Sequence, residues 1–88
     1  MQIRNSVKWF SEQMEFELVN NDRKSGWRNM SIDALYARLL DEVCELQSEL
    51  SFPTRDDAAI ISECADVANF AMMIADIIKE KSAEKSNE

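Results

Sequence analysis

The chain has 88 residues, one glycine, one proline and a formal net charge of -7, from 17 acids against 10 bases. That length makes one small domain with a limited core, so oligomerisation is expected to add to it. The acidic balance argues against long nucleic acid bound through a basic face, though not against small phosphorylated ligands, and the scarcity of Gly and Pro argues against an all-β fold. Histidine is absent, and Cys44 and Cys64 form no CxxC pair. Zinc sites of the Cys and His type and histidine-based triads are therefore unsupported, and two buried thiols are expected. The first ten residues lack the continuous apolar core of a signal peptide, and Asn69 and Asp76 interrupt the longest apolar run. A cytoplasmic protein with no membrane association is the expectation. Abundant Ala, Leu, Met, Glu and Lys favour helix, so the chain reads as all-α.

In chain order, Ile3, Val7, Phe10, Met14 and Leu18 alternate steps of four and three, which predicts an amphipathic helix over 3–19 with Trp9 packed at its margin. Residues 20–30, NNDRKSGWRNM, lose that period and form a loop. Within it Lys24, Ser25, Gly26 and Trp27 set a cation, a flexible backbone and a large aromatic ring side by side. Two roles for Trp27 stand open: stacking on a ligand, or plugging the end of the bundle. Ser31 is a good N-cap for a second helix, in which Ile32, Leu35, Tyr36, Leu39, Val43, Leu46 and Leu50 carry the apolar face. Glu42, Glu45 and Glu49 form a separate stripe bordering that face. Pro53 ends the helix, Thr54 with Asp57 resembles a capping box, and a third helix is predicted over 55–79. The domain thus spans 1–80, with 81–88 a polar, fraying tail.

The third helix contains ISECADVANFAMMIAD, in which Glu63 and Asp66 lie three apart, hence on one face, amid apolar residues that predict burial on nearly every side. Two acids buried together repel and lose hydration, so they take up a proton or bind a cation. With helices two and three antiparallel about a short turn, Glu45 lies eight residues before Pro53 and Glu63 ten after it. The pairs Glu42/Glu45 and Glu63/Asp66 are then opposite one another. Four carboxylates of this kind suit Mg²⁺, with Mn²⁺ as a substitute. Without histidine, a di-iron bundle of the Glu-x-x-His type is excluded.

The ExxE of Glu42-Val-Cys-Glu45, seventeen intervening residues and the ExxD of Glu63-Cys-Ala-Asp66 resemble the signature of the MazG-like all-α nucleoside triphosphate pyrophosphohydrolases. The LLDEVCEL and DVANFAMMIAD blocks are similar to small phage- and integron-type members, and Lys24-Ser25-Gly26-Trp27 stands where those often show K-G-G-W. The resemblance spans residues 10–78. It implies Mg²⁺-dependent hydrolysis of a (d)NTP to (d)NMP and pyrophosphate, in nucleotide-pool house-cleaning, by a helical bundle completed as a homodimer or homotetramer. Carried over by position, Glu42, Glu45, Glu63 and Asp66 are the metal ligands, with Glu45 or Glu49 orienting the attacking water. Lys24 is the candidate phosphate contact, Trp27 and Phe70 pack the nucleobase, and Asn69 makes a polar contact to the substrate. The alternative is a non-catalytic nucleotide-binding or helical protein-interaction module.

Overall fold

The computed structural model describes residues 1–21 and 26–86. Among them there is no strand; three helices, α1 (Asn5–Asn21), α2 (Ile32–Ser51) and α3 (Asp57–Ser86), are joined by a 3-10 turn at Trp27–Asn29 and a short link at Pro53. The all-α expectation holds.

The caps explain where the helices begin. Ser31 caps α2 as expected, its Oγ accepting from the Ala34 N–H at 3.1 Å. At α3 the cap is Asp56 rather than Thr54: the Ala59 N–H donates to Asp56 Oδ1 at 3.2 Å, so the helix starts at Asp57. Three candidates within four residues (Thr54, Asp56 and Asp57) satisfy the same local rule, and the backbone selects the middle one. At the other end α3 stays helical to Ser86, through the segment expected to fray. Its Lys, Glu and Ala are strong helix formers, and Lys85 in the last turn complements the helix dipole.

The helices α1 and α2 both pack on α3 and not on each other, which makes α3 the spine. Only Leu35, Ala65 and Ile77 form a buried apolar core among the described residues, and most of α3 is half-buried with Ala71, Ala75 and Ile78 exposed. The expectation of burial on nearly every side is not met within one chain, because two flanking helices cannot cover a third all round. Trp9 likewise is about half exposed and lies against Phe10 rather than in a core. Cys44 is exposed and Cys64 half-buried, both as free thiols, so the expected pair of buried thiols is not found.

Gly26 is extended, with φ -65° and ψ -179°, and a Cβ there would meet nothing within 4 Å. The loop does not use glycine's conformational freedom at this position.

Candidate metal centre and adjoining cleft

On α2 the side chains sort into three strips, spaced by about 100° per residue. Leu35, Leu39 and Leu46 lie along the packed edge. Arg38, Glu42, Glu45 and Glu49 run along one flank, while Tyr36, Leu40, Val43 and Leu50 form an exposed apolar strip on the other.

The acidic flank meets α3 where the antiparallel register predicts. Carboxylate oxygens of Glu42, Glu45 and Glu63 lie within 4.8 Å of one another, with Glu42 buried, Glu63 half-buried and Glu45 exposed. Asp66, one turn along α3, lies outside that closest group but repels all three acids electrostatically or is repelled by them. Glu49 is half-buried and does not join the group. Burial, followed by repulsion from Glu45 and Asp66, pushes the Glu42 carboxyl up to about 7. The same causes raise Glu63. Asp66 is raised by burial first, and then by Glu17 and Glu45.

These acids are poorly compensated. Oε2 of Glu42 and Oε2 of Glu63 are buried without a hydrogen-bond partner. A buried acceptor left unpaired costs about 1–3 kcal/mol, more when charged. An oxygen-only donor set with unpaired buried lone pairs fits a hard divalent cation, which supplies the missing charge and bonds together.

Because α1 and α2 do not touch, a cleft of about 760 Å³ opens between them over α3 and the 3-10 turn. Glu42 and Asp66 line it, so the acid cluster forms part of its wall. Trp27, Leu18, Met30, Phe70 and Met73 give it apolar surface. Trp27 lines the cleft, and its Nε1–H donates to Asp76 Oδ2 at 3.0 Å, which ties the 3-10 turn to α3. Arg28 Nε reaches the same oxygen at 3.0 Å. The Arg28 and Trp27 donors hold the Asp76 carboxyl down at about 2.

Asn69, 3% exposed, donates from Nδ2 to the Met14 carbonyl at 3.0 Å and so ties α3 to α1, while its Oδ1 is buried and unpartnered. Phe70 lies beneath the Arg38 guanidinium, 5.5 Å from its centroid. Lys24 lies outside the described residues.

No family model, curated protein or solved structure matches the chain.

Two cleft residues escaped the sequence reading. Glu17 of α1 accepts from Ser62 Oγ at 2.7 Å and adds a fifth carboxylate beside Asp66. Nothing in α1 itself marks it, since Glu12 and Glu15 are equally polar neighbours and only the packing of α1 on α3 singles it out. Arg38 had a local signal, its position one turn before Glu42.

Proposed function

We propose that the protein is a Mg²⁺-dependent nucleoside triphosphate pyrophosphohydrolase of the MazG-like kind, releasing (d)NMP and pyrophosphate. The observation that carries this reading is the pair of buried, unpartnered carboxylate oxygens of Glu42 and Glu63 in a cluster that walls an open cleft. Glu42, Glu45 and Glu63, with Asp66 beside them, hold the cation. When bound, it neutralises triphosphate charge and makes a coordinated water more acidic. The chain's own residues bind and position. Trp27 and Phe70 give the base apolar surface on the cleft wall, and Asn69 Oδ1 offers an acceptor there. Glu45, the exposed member of the cluster, accepts the proton of the attacking water as the bond between the α and β phosphates is cleaved.

Completion of the bundle by a second copy belongs to the same proposal. Its support is the exposed strip of Tyr36, Leu40, Val43 and Leu50, together with the half-buried spine α3. By length and composition Asp57–Lys85 is also apolar enough to cross a membrane. Glu63 and Asp66 lie in its first third, within the apolar run, and face other acids, an arrangement expensive in lipid and suited to a water-filled cleft.

The deciding assay incubates purified protein with Mg²⁺ and a panel of standard and modified NTPs and measures pyrophosphate and monophosphate. Release from at least one substrate is expected, and its absence across the panel sinks the enzyme reading in favour of a binding module. Glu63→Gln and Asp66→Asn are each expected to reduce turnover at least about a hundredfold while preserving the helical circular dichroism signal. Retained activity in both would place the chemistry elsewhere.

A further inference from the structure

We propose that Arg38 binds the substrate's phosphates, and that it is held at the edge of the acid cluster by contacts weak enough to be exchanged for them. The inference rests on the phosphohydrolase reading above and assigns a residue that the resemblance does not.

Arg38 is the one cationic side chain among the described residues lining the cleft. Its two ion pairs are long, Nη2 to Glu42 Oε1 at 3.7 Å and Nη1 to Asp41 Oδ2 at 3.8 Å. Neither is a hydrogen bond by ordinary geometry, so these contacts leave its donors unsatisfied by the acids. The side chain is 54% exposed, and nothing buries the guanidinium away from an incoming ligand. It is nevertheless not adrift, because its planar group lies 5.5 Å from the Phe70 ring centroid, a cation–π contact that fixes its direction from α3.

Charge argues for the rest. A polyphosphate approaching this wall meets Glu17, Glu42 and Asp66, all of them repulsive. Once a divalent cation engages Glu42, that carboxylate has less charge to offer Arg38, and the guanidinium is free to present its planar fork to non-bridging phosphate oxygens. Arg38 and the cation site therefore compete for Glu42 in the absence of nucleotide and cooperate in its presence. Removing the arginine has opposite effects on two ligands: it weakens phosphate binding and leaves the affinity for the cation alone unchanged or raised.

The test uses the full chain and three variants of one position, Arg38→Gln, Arg38→Lys and Arg38→Ala. Calorimetric titration with Mg²⁺ alone and then with inorganic tripolyphosphate in saturating Mg²⁺ gives readouts independent of turnover, and steady-state kinetics on the best NTP gives KM and kcat. Arg38→Gln is expected to weaken tripolyphosphate binding roughly 10- to 100-fold. Arg38→Lys is expected to recover part of that loss, and Mg²⁺ affinity is expected not to fall in any variant. Tripolyphosphate affinity and KM equal to wild type in Arg38→Gln overturn the assignment, as does a fall in affinity for Mg²⁺ alone. Failure of the enzyme reading looks different: wild type then releases no pyrophosphate, while an Arg38-dependent tripolyphosphate site still supports the residue assignment. A wild type that binds Mg²⁺ but no tripolyphosphate overturns it.

Discussion

Glu42 illustrates what burial among like charges does to a carboxyl. Its folded-state carboxyl is pushed up to about 7, against about 4.3 for an unperturbed glutamate. The native state therefore keeps a proton that the unfolded chain has lost between those values, and stability falls as pH rises through that window, levelling above about pH 7. A cation binding the ionised form works in the opposite sense. Thermal melts are thus expected to show a small Mg²⁺-induced rise in Tm near about pH 5 and a larger one near about pH 8. Equal shifts at both would deny the cation these acids. Asp76 has the other sign: held down at about 2, it contributes stability above its unfolded pKa that is lost as pH falls through the acid range. Asp76→Asn removes the charge that Arg28 and Trp27 share. The expected readout is increased exposure of Trp27 to a fluorescence quencher with helicity unchanged.

At the scale of elements, two substitutions separate what the chain needs from what it merely contains. Ser31→Ala deletes the acceptor for the Ala34 N–H and is expected to cost about 1 kcal/mol in denaturant unfolding. Gly26→Ala is expected to be neutral or slightly stabilising, because the backbone there is extended and the Cβ meets nothing; a loss above about 1 kcal/mol would contradict this. The helix α2 was legible because it repeats its apolar residues without a break and Ser31 stands directly before the first of them, Ile32. The start of α3 was not, since Thr54, Asp56 and Asp57 offer the same chemistry within four residues. The convergence of Glu42, Glu45 and Glu63 followed from counting outward from Pro53 in both directions. The roles of Glu17 and Asp76 depend on how α1, α3 and the 3-10 turn meet, a register that no single helix encodes, whereas Arg38 carried a local signal in its spacing from Glu42.

The whole molecule is more open than a compact chain of its length. Its radius of gyration is 15.0 Å, against about 12 Å for a compact chain of this length. It exposes 6881 Å², where a compact monomer of this mass exposes roughly 5,300 Å². The excess exceeds the area, about 800 Å² per partner, that a standard interface covers. Sedimentation is expected to show a dimer or tetramer, and Leu40→Glu combined with Val43→Glu is expected to shift it towards monomer. A monomeric wild type would refute completion by a second copy.

No residue of α1 is buried, and its polar ties to α3 are the Glu17 contact with Ser62 and the Asn69 contact with the Met14 carbonyl. Both ties sit in the second half of the helix, leaving its first turns with little to hold them. Amide hydrogen exchange is therefore expected to run fastest through residues 5–13, slower near Met14 and slowest in the α2–α3 pair. The α1 residues that line the cleft, Glu17, Leu18 and Asn21, lie in the tied half, so fast exchange over 5–13 would report fraying of a helix end that leaves the cleft wall in place, and only exchange beyond Met14 would report its opening.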